Sequence, residues 1–313
     1  MSLPRVLITG VDGLIGKYTV RLLSSFFPVL AVSRRMQVAV ATGNEVSHAH
    51  TDLLDSEEVG KLRDFRADVI VHLAASIPSS FEDEQVAMTN QSIDANIFNL
   101  AKESGASVIF CSSVSVYENR QGPWSESMTL APCSIYARSK LDSEKLFSTL
   151  ESGALSIRIA SPYGVVEPIR KGVLFHFLRE AVAGRALTLH GEGLRTQDFI
   201  HARDIANAIL KIVRFWNKDT GLAKRGVLNI ASGAPVSMIE LAQLVLKVTN
   251  SSSPLHFVGG EEGGDDYRSA ISIEQSAHLI DWKPEITLLD GVTHLLKSFE
   301  GKNEDWFIVG RAR

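Results

Sequence analysis

Short runs rich in Val, Ile and Leu recur through the first half of the chain, at residues 5–9, 29–33, 68–73, 107–111 and 155–159. Between them lie longer stretches with apolar residues at helical spacing, over 14–27, 56–66, 84–104 and 134–152. The runs are apolar on both faces, so both faces must be covered, which is the mark of a parallel sheet flanked by helices. Strand–helix units joined by right-handed crossovers predict an α/β fold built on a doubly wound parallel sheet.

After about residue 162 the strands become shorter and more scattered, and helices are expected at 172–183, 204–216, 237–248 and 290–299. The glycine- and acid-rich stretch 259–266 reads as a polar loop. This half is expected to form a smaller C-terminal lobe above the C-terminal edge of the strands. Some of its segments, about 196–235, are expected to return to the main sheet. The division is therefore 1–161 for the sheet and 162–313 mainly for the lobe.

Composition excludes several function classes. Lys plus Arg number 32 against 36 Asp plus Glu, a net charge of −4, so there is no cationic surplus for general nucleic-acid binding. A hydrophobic content of 45% argues against a disordered chain. Cys111 and Cys133 are the only cysteines, too few for a disulfide scaffold, and their spacing suits no zinc site. No apolar run approaches the roughly 18 residues of a membrane span. The first strand begins within a few residues of Met1, leaving no room for a signal peptide, so a cytoplasmic location is expected.

Gly10-Val-Asp-Gly13-Leu-Ile-Gly16 follows the first strand and opens the first helix. In such a loop the first glycine allows a tight turn. The second lets the backbone approach a pyrophosphate, and the third lets helix and strand pack closely. The anion sits on the helix N-terminus, before the N–H groups of Leu14, Ile15 and Gly16. Residues 1–161 are thus expected to bind a dinucleotide. The second strand ends Ser33-Arg34-Arg35, without the usual acidic residue for an adenosine ribose. A guanidinium binds a 2′-phosphate bidentately, so NADP(H) is favoured over NAD(H), although two solvated arginines after a strand would look the same. Asp52, with Leu53, follows the expected third strand, where a carboxylate can accept from an adenine amino group.

Tyr136-Ala-Arg-Ser-Lys140 begins a helical stretch, and residues four apart share a helix face. An ammonium beside a phenol stabilises the phenolate, so that the tyrosine can act as acid or base. Ser112 and Ser113 end the preceding strand at the sheet edge where doubly wound folds place their sites, and a hydroxyl there can hydrogen-bond a carbonyl or alcohol oxygen.

Together these pieces resemble the extended short-chain dehydrogenase/reductases, specifically the NAD-dependent epimerase/dehydratase group acting on nucleotide sugars. The matching segments run in order along nearly the whole chain. They are Thr9 to Gly16, His72-Leu-Ala-Ala75, Asn90, Ser112 to Tyr117, Tyr136 to Lys140, Arg158 to Gly164, Asp198 to Asp204, Leu228 to Gly233 and Trp282-Lys-Pro284. The resemblance implies a Rossmann domain binding NAD(P) and catalysis by Ser113, Tyr136 and Lys140. Ser113 would polarise the substrate oxygen, Tyr136 would exchange its proton, and Lys140 would tune Tyr136 and bind the nicotinamide ribose. Leu73, Ala74 and Ala75 would pass the cofactor, and Asn90 would be structural. It also implies a homodimer formed through the helices at 84–104 and 134–152 as a four-helix bundle, and no metal.

The departures narrow the chemistry. Dehydratases of the group carry Asp-Glu after the serine, where this chain has Val114-Ser115. A cysteine that moves protons in other members is Ser115 here. Ser161 stands where asparagine is common, and Gln197 where an arginine binds the nucleotide diphosphate. A second arginine expected near Glu262 is missing, leaving Arg195 and Arg268 as replacements. Trp124, in the loop before the tyrosine, is expected to border the substrate. His176 is expected to pack rather than to bind. Transient oxidation at C4 of a nucleotide sugar is the leading expectation, and NADPH-dependent reduction of a keto sugar or other carbonyl the second. A non-catalytic dinucleotide sensor is the third, against which the intact Tyr136 and Lys140 argue.

Overall fold

The computed structural model describes residues 3–35, 46–77, 80–117, 122–165, 172–216, 226–259 and 266–299. Its frame is a seven-stranded parallel sheet in the order β11-β6-β5-β4-β1-β2-β3. The strands are β1 (Val6–Thr9), β2 (Val29–Ser33), β3 (Val46–His50), β4 (Val69–His72), β5 (Ser107–Ser113), β6 (Ala154–Ile159) and β11 (Gly226–Ile230). The order turns back on either side of β1, which makes the sheet doubly wound, as the alternation of strand and helix patterns implies. Central strands β1, β2, β4 and β6 are buried at every residue, whereas edge strand β3 (VSHAH) is polar and half exposed. A polar edge discourages pairing with another chain.

Helices cover both faces. They are α1 (Leu14–Leu23), α2 (Ser56–Lys61), α3 (Glu84–Ser104), α4 (Ile135–Ser148) and α6 (Ala202–Trp216), with α1 against α6 on one face and α3 against α4 on the other. One apolar cluster joins Ile8, Val71 and Ile157 to Ile205 and Ile209 of α6. The second joins Leu7, Ile70 and Phe110 to Ile97 of α3 and Phe147 of α4. Caps set the helix starts: Asp83 accepts the Val86 N–H at 3.0 Å before α3, and Ser134 accepts that of Ala137 at 3.2 Å before α4.

The remaining elements are β7 (Ser161–Tyr163), α5 (Val173–Val182), β8 (Leu187–His190), β9 (Thr196–Gln197), β10 (Phe199–His201), β12 (Val236–Ser237), α7 (Met238–Thr249), β13 (Leu255–Val258), α8 (Glu274–Ile280) and α9 (Leu288–Phe299). Three two-stranded pairs, β7 with β10, β9 with β12 and β8 with β13, join α5, α7 and α9 around a third core of Leu174, Phe177, Leu241 and Leu295. The sequence pattern predicts α5, α6, α7 and α9 to within a few residues but misses α8, whose seven residues are too short for a clear period. Among the described residues no helix is long and apolar enough to cross a membrane, and neither cysteine is in a disulfide.

Candidate active site

The loop leaving β1 is shaped by contacts only glycine tolerates. Gly10 has φ +69°, and a Cβ there would lie 2.6–2.7 Å from the backbone of Leu73 and Ala74. A Cβ on Gly16 would strike the Gly10 carbonyl and Val11 Cα. One on Gly13 would meet only the Gly10 oxygen, at 3.2 Å, so its outer side is open. Gly13 also begins α1 with no side-chain cap and no acidic residue in the first turn. The cradle and the uncapped helix start fit a pyrophosphate held by the N–H groups of Leu14, Ile15 and Gly16.

Behind this loop a buried polar chain crosses the sheet edge. Thr9 Oγ1 accepts the N–H groups of Leu73 and Ala74, each at 3.2 Å. Its hydrogen therefore goes to His72 Nδ1, 2.7 Å away, and this network assigns His72 the Nε2–H tautomer. Nε2 donates to Asp94 Oδ1 of α3 at 2.9 Å, and Ser143 of α4 donates to Asp94 Oδ2 at 2.6 Å. Burial would raise the Asp94 pKa, but His72, Lys140 and Ser143 together hold it below the usual carboxylate value. Asn90, one turn earlier, clamps both backbone groups of Ser76 at 2.7 and 2.9 Å and so fixes the loop containing Leu73, Ala74 and Ala75.

Tyr136 and Lys140 lie in the first two turns of α4, and Ser113 is the last residue of β5, two residues beyond the predicted strand end. Ser113 Oγ accepts the Ser115 N–H at 3.2 Å, opening a single 3-10 turn over Val114–Val116. Lys140 is buried, donates to the Cys111 carbonyl at 3.1 Å and lies 4.7 Å from the Phe110 ring centroid. Burial alone would push its pKa down, but the charge of Asp94, with smaller contributions from neighbouring groups, raises it, so the ammonium is retained.

A second buried network fixes α4 to the strands. One turn past Lys140, Glu144 receives two hydrogen bonds from Arg158 of β6, at 2.9 and 2.7 Å, and one from Ser112 at 2.5 Å. Arg158 also donates to the Tyr117 hydroxyl at 3.0 Å, and Tyr117 donates to Asn229 of β11 at 2.8 Å. This turn of α4 is thereby locked to β5 and β6, which sets Tyr136 and Lys140 relative to Ser113.

Three features at this edge escape sequence reasoning because they join distant segments. The Tyr136 ring stacks on Phe81, with centroids 5.5 Å apart, and its N–H donates to the Phe81 carbonyl at 2.9 Å. Asp94 is placed as the charge facing Lys140. Asp12, inside the glycine loop, accepts a hydrogen bond from the Ser33 hydroxyl.

Other expected positions are distributed as follows. Arg34 and Arg35 are exposed beyond buried Ser33. Asp52 is exposed and accepts the Leu54 N–H at 3.1 Å, while Leu53 is buried under β2 and α2 in the second apolar cluster. Gln197 donates to Ser161, joining two of the positions expected near the substrate. Arg195 lies 5.5 Å from the Tyr267 ring centroid, and Arg268 donates to the Leu194 carbonyl at 3.0 Å. Glu262 lies outside the described residues. Ser115 Oγ is buried without a hydrogen-bond partner among the described residues. Trp124, expected beside the substrate, has no exposed surface and packs between Tyr117 and Tyr267, with ring centroids 5.7 Å from each. Packing, not substrate contact, is what this position shows. His176 is not a packing residue: it is on the exposed side of α5 and accepts from Arg179 at 2.8 Å. No group of His, Cys, Asp and Glu among the described residues is placed to hold a metal ion.

Comparison with known proteins matches the family and the fold. The family model "NAD dependent epimerase/dehydratase family" matches residues 6–231. UDP-glucose 4-epimerase of Mycolicibacterium smegmatis is 26% identical over 319 residues, covering 96% of this chain and all of the relative. UDP-glucuronic acid decarboxylase 1 of Danio rerio is 24% identical over 321 residues, covering 96% of this chain and 73% of the relative. The crystal structure of UDP-glucose 4-epimerase from Thermotoga maritima superposes with a TM-score of 0.80 at 20% identity, over 94% of this chain and 98% of that one.

Proposed function

The chain belongs to the NAD-dependent epimerase/dehydratase family, an enzyme family of the extended short-chain dehydrogenase/reductase type, and we propose that it epimerises a nucleotide sugar by transient oxidation at C4. The observation that carries this reading is the trio of Ser113, Tyr136 and Lys140 followed by Val114-Ser115, which supplies no carboxylate pair to remove water. When bound, the nicotinamide dinucleotide supplies the means of taking and returning a hydride. The glycine loop and the start of α1 hold its phosphates, and Leu73, Ala74, Ala75 and Lys140 border it. Ser113 donates a hydrogen bond to the sugar oxygen. Tyr136 removes the proton of the 4-hydroxyl and later returns it. Lys140, kept protonated opposite Asp94, stabilises the negative oxygen during both transfers.

In this reading Ser161, Arg195, Gln197 and Arg268 border the nucleotide sugar, with Ser115 beside the reacting carbon. The active species is a homodimer in which α3 and α4 of each copy form a four-helix bundle. Arg34 and Arg35 favour NADP(H), and Asp12 opposes them.

A second reading, reduction of a keto sugar or other carbonyl, is favoured by two contacts. Gln197 holds Ser161 where a diphosphate-binding arginine would stand, and Arg268 already serves the Leu194 carbonyl. Purified protein is offered UDP-sugars with and without NADH or NADPH. Interconversion of epimers with no net use of either reduced dinucleotide is the expected result. Stoichiometric oxidation of NADH or NADPH with a ketone, or release of carbon dioxide or water from the sugar, would overturn it.

A further inference from the structure

Strands β1 and β2 run side by side with Thr9 opposite Val32, so the loop leaving β1 passes the end of β2 at Ser33. Asp12 uses this proximity. The Ser33 hydroxyl donates to Asp12 Oδ2 and accepts the Arg35 backbone N–H at 2.9 Å, so it is engaged in both directions. Ser33 is the only hydrogen-bond partner of Asp12 among the described residues, which leaves Oδ1 to accept. Asp12 itself is only partly exposed.

We propose that the Asp12 carboxylate accepts the adenosine ribose hydroxyls and makes the chain prefer NAD(H) to NADP(H). The inference rests on the glycine loop being the dinucleotide site. In doubly wound sheets an acidic residue at the end of β2 takes the ribose 2′-hydroxyl. This chain has Ser33 there and brings the carboxylate to the same place from the adjoining loop. A carboxylate accepts from a hydroxyl but has no hydrogen to offer a phosphate, and a 2′-phosphate would set like charges together. Arg34 and Arg35 oppose this from solvent, where ion pairs are weak and screened by salt. The fixed carboxylate therefore outweighs the two exposed guanidiniums, contrary to the preference their sequence position suggests.

The test is titration of the full chain with NADH and with NADPH, followed by nicotinamide fluorescence without any sugar. Wild type is expected to bind NADH at least roughly ten-fold more tightly, as expected for a hydrogen bond to a charged group. Asp12→Asn and Asp12→Ser, checked for folding by circular dichroism, are expected to lower the NADH-to-NADPH affinity ratio by roughly ten-fold or more. The double replacement Arg34→Ala, Arg35→Ala is expected to change that ratio by less than about three-fold, in line with exposed ion pairs. Tighter NADPH binding by wild type, or a ratio that neither Asp12 variant moves, would overturn the role of Asp12. Binding of neither dinucleotide by wild type would overturn the cofactor site itself, and this inference with it.

Discussion

Under the sheet edge, buried polar groups close on one another. Thr9, His72, Asp94 and Ser143 form one chain, and Ser112, Glu144, Arg158, Tyr117 and Asn229 form another. In the lobe, the polar groups expected at the substrate serve nearby partners near the surface: Gln197 meets Ser161, Arg268 a loop carbonyl, and Arg195 an aromatic ring. A buried network cannot rearrange without leaving unpaired polar groups, so it suits parts whose geometry must not vary. The lobe's contacts are ones a substrate can displace. In the function proposed above, chemistry would sit on a rigid frame, and recognition on a surface that can change without loss of the fold.

The strongest way to break this contrast is at the hydroxyl of Tyr136, the proposed acid and base. Tyr136→Phe is expected to lower kcat by roughly a thousand-fold, within the range for proton transfer, while dinucleotide affinity measured by titration stays unchanged. Activity within ten-fold of wild type would remove the tyrosine from the reaction. Next comes the frame. Arg158→Met leaves Glu144 buried and uncompensated, and urea unfolding should show a loss of about 3–5 kcal/mol. The double variant with Glu144→Leu should recover much of it, and a loss under about 1 kcal/mol for the single variant would mean the pair is not structural.

The boundary between the two regions offers a pH test. Burial, with smaller effects from His294 and Arg203, depresses the His201 pKa from 6.5 to about 4. Between those values the unfolded chain binds more protons than the folded one. Stability should therefore fall as pH drops from about 6.5 to 4, by up to about 3 kcal/mol. His201→Gln should flatten that slope in urea melts recorded across the window, and an unchanged slope would assign it to other groups. The smallest effect belongs to the lobe. Arg268→Ala should raise KM several-fold with kcat unchanged and cost under about 1 kcal/mol of stability, as for exposed polar contacts. A fall in kcat instead would place Arg268 in the chemistry.

What the sequence made legible follows the same division. The glycine loop and the Tyr136–Lys140 pair are each fixed by spacing within a few residues, and apolar runs displayed the central strands. Asp12 meeting Ser33, Phe81 under Tyr136 and Asp94 facing Lys140 depend on which segments the crossovers bring together, and no local spacing carries that. Trp124 shows the converse: its place before the catalytic tyrosine suggested substrate, yet an indole this large fills the gap between Tyr117 and Tyr267. The lobe was least legible because its strands are only two to four residues long and pair across long separations.

Oxidation and return of hydride at one carbon is best tested with a UDP-sugar deuterated at C4, followed by NMR with no dinucleotide added beyond that carried by the purified protein. The C4 epimer is expected to form with the deuterium still on C4. Loss of the label from C4, or a product lacking carbon dioxide or water relative to the substrate, would contradict it.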